Sequence, residues 1–324
     1  MKRTLAIVLA LAMTLALCVG LAGCGEEVTN KTVYNVGILQ LVQHEALDAA
    51  TKGFKDALTE KLGDNVKFDE QNAAGDAPTC ATIAGQFVAS NVDLIMANAT
   101  PALQAAVAAT DSIPIVATSI TDYATALEIA DWTGTTGMNV TGTADLAPLD
   151  EQAAMIKELV PDVKTVGILY ASSEANSKYQ ADVVTGYLTD MDIEVKEYTC
   201  ADSNDLALVV TQACEEVDVI YIPTDNTMAS NTEIVDNIAL DAGVPVVAGE
   251  AGICKGCGIA TLSIDYYSIG YAAGEQAYEI LVNDADPATM EIGFATDLTK
   301  QYIASRCEAL QIEVPADYEE IVVE

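Results

Sequence analysis

Two doubly wound α/β lobes, each a parallel Rossmann-like sheet flanked by helices and joined to the other by a hinge, are the architecture this sequence predicts. Three observations carry it. The chain has 324 residues, too long for one ordinary core and suited to two domains of roughly 100 to 200 residues each. Short β-branched runs alternate with helical patterns, an order that makes parallel sheets with right-handed crossovers. Three of those runs also recur later in the same order. Val36-Gly37-Ile38-Leu39-Gln40 returns as Val166-Gly167-Ile168-Leu169-Tyr170, Asp93-Leu94-Ile95-Met96 as Asp218-Val219-Ile220-Tyr221, and Ile113-Pro114-Ile115-Val116-Ala117 as Val244-Pro245-Val246-Val247-Ala248. Their offsets of 130, 125 and 131 residues describe one lobe built twice.

Taken in order, the chain opens with Lys2 and Arg3 before a 20-residue apolar run from Thr4 to Gly23, which ends in Leu21-Ala22-Gly23-Cys24. This is the layout of a secretory signal. The run is just long enough to span a bilayer, so an uncleaved anchor is the competing reading. Small residues directly before a cysteine resemble the lipobox of bacterial lipoproteins, which implies removal of residues 1–23, lipid on Cys24 and a place on the outer face of the cytoplasmic membrane, its extracellular or periplasmic side. Residues 24–32 then form a lipid-anchored tether.

The β-branched runs read as strands buried on both faces. Helical patterns lie between them at 46–62, 79–90, 102–110, 149–160, 175–190, 204–216 and 231–242. A further run, 268–282, returns to the first lobe as a hinge crossing. The expected division is residues 33–140 with 266–300 for the first lobe, and 141–265 with 301–324 for the second.

Composition narrows the function. Fourteen basic residues against 49 acidic give −35, a charge that repels phosphate backbones and excludes nucleic acid as a partner. A single histidine excludes a His-rich metal centre or a His-based triad. Beyond Cys18 and Cys24, six cysteines remain in an oxidising setting, namely Cys80, Cys200, Cys214, Cys254, Cys257 and Cys307. Cys254 and Cys257 are the only local pair, readable as a disulfide, as free thiols, or as a redox or half-zinc motif.

Ligands of open α/β sheets bind outside the carboxyl ends of the strands, so two facing lobes make a cleft lined by the residues after each strand. The first lobe offers Gln40, His44, Asn98, Thr100, Thr118 and Ser119. The second offers Tyr170, Ser173, Asn176, Thr224, Asp225, Asn226 and Glu250, with Asp265 at the third pass. Hydroxyls and amides ahead of first-lobe helices suit a carboxylate, Asp225 or Glu250 suits an ammonium, and the Tyr170 ring can pack an aromatic side chain. Helix capping alone would also favour Ser, Thr, Asp and Asn at these places. Trp132 reads as a loop or hinge contact or as a stacking wall.

Gly37-Ile38-Leu39-Gln40-Leu41-Val42-Gln43-His44, Ser173-Glu174-Ala175-Asn176-Ser177, Pro223-Thr224-Asp225-Asn226 and Ile264-Asp265-Tyr266-Tyr267 resemble motifs of the substrate-binding lipoproteins of ABC importers for aromatic amino acids. The resemblance implies the two-lobed periplasmic-binding-protein type I fold, hinged by three crossings. It also implies a tyrosine, phenylalanine or tryptophan ligand between the lobes, a permease and its ATPase as partners, a monomer, and no cofactor. Three places depart from that pattern: Glu45 stands where a proline is expected after the histidine, Ala248-Gly249-Glu250 stands where the family usually shows Gly-Asp or Gly-Glu, and Cys254 and Cys257 lie in a loop that usually carries neither.

No G-x-G-x-x-G opening a helix, G-x-x-x-x-G-K-[ST], G-x-S-x-G or H-E-x-x-H occurs, so the expectation is a binder and not an enzyme. The alternative is a surface lipoprotein that uses the same fold for sensing or adhesion, or a binder of another small polar solute.

Overall fold

A computed structural model describes residues 33–323; the apolar leader, Cys24 and the tether lie outside them. The first sheet starts with β1 (Tyr34–Gln40), followed by α1 (Glu45–Leu62), β2 (Val66–Asn72), α2 (Ala77–Ala89), β3 (Leu94–Asn98), α3 (Thr100–Ala109), β4 (Ile115–Ile120), the short α4 (Tyr123–Ala126) and β5 (Val140–Ala144). The second repeats the plan: α5 (Leu149–Leu159), β6 (Thr165–Ala171), α6 (Ala175–Asp190), β7 (Glu194–Cys200), α7 (Leu206–Glu216), β8 (Val219–Ile222), α8 (Asn226–Ala229), α9 (Thr232–Ala242), β9 (Val246–Ala248), α10 (Ala251–Cys257) and β10 (Ala260–Ile264). The chain then crosses back through α11 (Tyr266–Asn283) and β11 (Gly293–Phe294), and crosses again to β12 (Leu298–Tyr302), α12 (Ala304–Ala309) and β13 (Glu319–Glu320).

Strand order is β11-β5-β4-β3-β1-β2 in one sheet and β13-β12-β10-β9-β8-β6-β7 in the other. Among the described residues all strand pairings are parallel except β10 with β12. The duplicated runs form the sheet centres, where β3, β4, β8 and β9 are buried throughout. Each repeat also carries the same polar tie. Asp93 accepts from the Asn35 amide at 2.7 Å and Asp218 from the Thr165 amide at 2.9 Å, so one carboxylate fixes the start of the neighbouring strand in both lobes.

Two expected boundaries move. Val140–Ala144 is a full strand of the first sheet, paired with β4, so the first crossing follows residue 144 instead of 140. Leu298–Tyr302 pairs with β10 in the second sheet, so the last crossing precedes residue 298 instead of following 300. The polar edge strands β2 and β7, exposed along much of their length, carry no β-branched run.

Helices α1 and α11 pack backbone to backbone on the first lobe, and glycine permits it. A Cβ on Gly270 would lie 2.0 Å from the Ala50 carbonyl oxygen, and one on Gly53 would lie 2.1 Å from that of Tyr267. Backbone cannot swing aside as a side chain can, so Gly270→Ala is expected at the upper end of overpacking costs, about 3 kcal/mol. Calorimetry should register a drop in Tm of several degrees; an unchanged Tm would contradict the close approach.

Candidate functional site

The carboxyl ends of both sheets face a narrow cavity lined by His44, Leu47, Ser119, Thr121 and Asp145 from the first lobe and its crossing, and by Asn176, Thr224, Asp225, Asn226, Ala229 and Glu250 from the second, with Tyr266 at the head of α11. Half of the expected positions are therefore at the cavity: His44, Ser119, Asn176, Thr224, Asp225, Asn226 and Glu250.

The others are turned elsewhere, for reasons the local geometry gives. Gln40 and Asn98 are register partners at the ends of β1 and β3, and α1 begins so soon after β1 that it covers them. The Gln40 amide donates to Asp48 at 2.7 Å and accepts from the Thr51 hydroxyl at 2.6 Å, while the Asn98 amide donates to Leu47 O and to Thr51. This network seats α1 and supports the site from behind. Thr118 accepts from Thr143 at 2.9 Å, and Thr100 is buried without lining the cavity. Ser173 is exposed and donates to Ala201 O, and Asp265 caps α11 through the Tyr267 and Ser268 amides. Tyr170 requires the clearest correction: its ring sits in the second lobe's core and its hydroxyl donates to Glu197 at 2.6 Å, so it offers no wall to the cleft. Trp132 stacks on Tyr123, with centroids 6.5 Å apart.

Cys254 and Cys257 are free thiols, so the disulfide expectation is not met. Both lie on α10, where Cys257 donates to Ile253 O, and burial raises both thiols above their ordinary value. Among the described residues no group of three or more His, Cys, Asp or Glu could hold a metal. None of their helices is long and apolar enough to cross a membrane.

Electrostatically the cavity is acidic. Asp225 caps α8 through the Met228 amide at 2.8 Å and ties β6 through the Ala171 amide at 2.7 Å. Burial and then the Glu174 charge push it up to about 7, against those two hydrogen bonds. Glu250 caps α10 through the Gly252 and Ile253 amides, and burial raises it to about 7. Asp145 accepts from the Tyr266 hydroxyl at 3.0 Å and from Thr121 at 3.0 Å; burial lifts it to about 6. Glu174 stands just behind, receiving the Asn226 and Thr227 amides, the Asn226 side chain and the Thr227 hydroxyl.

His44 meets Asn226 Oδ1 across the cleft at 3.2 Å. Burial holds it below the ordinary imidazole value against the Asn226 hydrogen bond and the Glu174 and Asp48 charges, which leaves it neutral near pH 7. Ser119 Oγ and Asn176 Oδ1, one from each lobe, are buried without a hydrogen-bond partner among the described residues. Ser119 also holds a left-handed φ of 57°, a strain of the kind that collects at binding sites. A buried polar atom left unpaired costs about 1–3 kcal/mol, so this pair is suited to a polar group placed between the lobes.

Thr121 and Glu174 stand beside expected positions after the recurring strands β4 and β6, while Asp145 has no recurring run to mark it. Asp145 lies on the crossing after β5, a strand without a counterpart among the recurring segments. At the rim Lys255 pairs with Glu45 at 3.0 Å across the lobes. Glu45 is one of the departures from the resemblance and Lys255 lies between the two cysteines of another, and the exposed pair contributes under about 1 kcal/mol.

The sequence pattern of the family described as ABC transporter substrate binding protein matches residues 35–316. A tyrosine-binding protein of Clostridioides difficile (strain R20291) is 39% identical over 259 residues, covering 79% of this chain and 75% of that one. A domain from Streptococcus pneumonia, solved in complex with L-Trp, superposes with a TM-score of 0.85 at 32% identity, covering 90% of this chain and all of the other. The ligand-free, open structure of a substrate binding protein with adhesive properties from Clostridium difficile gives 0.69 at 35% identity, with coverage of 90% and 100%. The match to the family pattern spans both lobes and the crossings between them, and this chain belongs to the ABC transporter substrate-binding protein family.

Proposed function

We propose that the protein captures a free amino acid with an aromatic side chain between its lobes and hands it to the permease and ATPase of an importer, held at the outer membrane face by lipid on Cys24. It acts as a monomer, without a cofactor and without catalysis. The cavity carries this reading. Its charged side chains are all carboxylates, its one histidine is neutral, and Ser119 and Asn176 offer uncharged polar atoms. A ligand that fits must bring a positive group for Glu250 and its neighbours, and a polar end for Ser119 and Asn176. The remainder of its surface meets Leu47, Ala229 and the Tyr266 ring. The tyrosine and tryptophan ligands of the two relatives agree with that chemistry.

The lobes are closed over the site. His44–Asn226 and Glu45–Lys255 join them, and the superposition is closer on the tryptophan complex than on the open form, although identity is slightly higher with the latter. Closure around the ligand is therefore the working motion. Adhesion at the cell surface is a second reading, favoured by the adhesive relative and compatible with solute capture by the same cleft.

Thermal shift tests the first reading. At 100 times its dissociation constant a ligand adds about 2.7 kcal/mol of stability, a rise of several degrees. L-Tyrosine, L-phenylalanine or L-tryptophan should give it, and their des-amino analogues should not. A larger shift from a sugar or an aliphatic amino acid would sink the assignment.

A further inference from the structure

Among the three carboxylates that line the cavity, Asp145 is bonded unlike the other two. Asp225 and Glu250 each spend both oxygens on backbone amides that cap the helix they precede or tie a strand, so their geometry is set by the fold. Asp145 is only 4% exposed yet receives two side-chain hydroxyls, from Thr121 and Tyr266. Hydroxyls rotate, and each carboxylate oxygen retains a lone pair for a further donor. Position adds to this. Asp145 directly follows β5, on the first crossing between the lobes, and Tyr266 opens α11 on the second, so one hydrogen bond joins two of the three crossings at the cavity wall.

Among the described residues, the groups around Asp145 offer it no positive charge. Glu250 from the second lobe shares the cavity, and its charge and that of Asp145 repel. Tyr266 and Tyr123 feel its charge from α11 and α4, and His44, which also lines the cavity, is neutral. A buried carboxylate without a cationic partner is costly, and the missing partner is the charge that an amino-acid ligand carries on its nitrogen.

We infer that Asp145 is a specificity-determining residue: with Glu250 it receives the ligand's cationic nitrogen at the hinge wall, and the Tyr266 hydroxyl carries that contact to the second crossing. The inference rests on the amino-acid reading above and deepens it. It explains how one site can reject des-amino analogues, because a carboxylate meeting no cation remains buried and unpaired. It also gives closure a chemical trigger, since the group that senses the nitrogen belongs to the segments about which the lobes turn.

The test is calorimetric titration of wild type, Asp145→Asn and Tyr266→Phe with L-tyrosine and with its des-amino analogue, 3-(4-hydroxyphenyl)propionate. Asp145→Asn keeps the shape and the hydroxyl contacts and removes the charge. It should weaken L-tyrosine about thirtyfold or more while leaving the analogue within a few-fold of its wild-type affinity, so the selectivity ratio collapses. Tyr266→Phe should lower affinity for L-tyrosine less, because the carboxylate remains. General damage to the pocket would weaken both ligands alike and leave the ratio intact. A wild-type ratio retained in Asp145→Asn overturns the inference and spares the amino-acid reading. A wild type that binds neither this amino acid nor phenylalanine or tryptophan overturns both.

Discussion

Glu250→Ala is expected to weaken amino-acid binding by about 2–5 kcal/mol, the cost of truncating one partner of a buried, charge-assisted contact. Glu250 is 3% exposed and closes the cavity from the second lobe. Two backbone amides of α10 hold its carboxylate, so it is already in place before the ligand arrives and loses little freedom on binding. That preorganisation is why the loss should appear mainly as faster dissociation. The same substitution removes a helix cap and should lower stability by about 0.5–2 kcal/mol. The two effects separate cleanly: titration at a temperature well below the variant's Tm reads binding alone, and Glu250→Gln keeps an acceptor for the amides while losing the charge. Affinity within threefold of wild type in both variants would remove Glu250 from the site.

How far this site could be read beforehand follows from which residues the duplication marks. Gln40, Asn98 and Tyr170 follow, or close, strands that recur, and the rule that ligands gather at carboxyl strand ends nominated them. The rule locates backbone and is silent on where a side chain turns. Gln40 and Asn98 turn under α1 because that helix lies over their strand ends with Thr51 between them. Tyr170 turns away from the cleft because, along β6, alternate residues face opposite sides of the sheet, and Glu197 on the neighbouring strand meets its hydroxyl. Asp225 and Glu250 were legible because each stands just after a strand and caps the helix that follows, although Asp265 does the same without lining the cavity. Asp145 was not, since nothing local distinguishes a buried aspartate on a crossing from the other acidic residues of so acidic a chain. The polar edge strands β2 and β7 escaped for a related reason: an edge strand need not be apolar on both faces.

Raising the pH should destabilise the ligand-free protein while tightening its grip on an amino acid, and these opposite slopes distinguish the carboxylate cluster from general surface charge. Asp145, Asp225 and Glu250 are raised by burial to about 6, 7 and 7, while in the unfolded chain they titrate near 4. Between those values the folded state holds more protons than the unfolded state, so stability present at about pH 4 is lost as pH rises through 6 to 7. Repulsion among the many surface acids acts in the same direction, but salt screens it and screens buried groups much less. The slope that survives in about 0.5 M salt therefore belongs to the cluster, and Asp145→Asn or Glu250→Gln should each flatten part of it. Binding runs the other way. A ligand nitrogen that remains cationic throughout competes with protons for the same carboxylates, so affinity should climb by up to about tenfold per pH unit for each proton displaced until the cluster is ionised above pH 7. Titration calorimetry from pH 5 to 8 in two buffers of different ionisation enthalpy would count the protons released. An affinity flat across that range, with no proton release, would show that the ligand's cationic group is held somewhere other than among these three carboxylates.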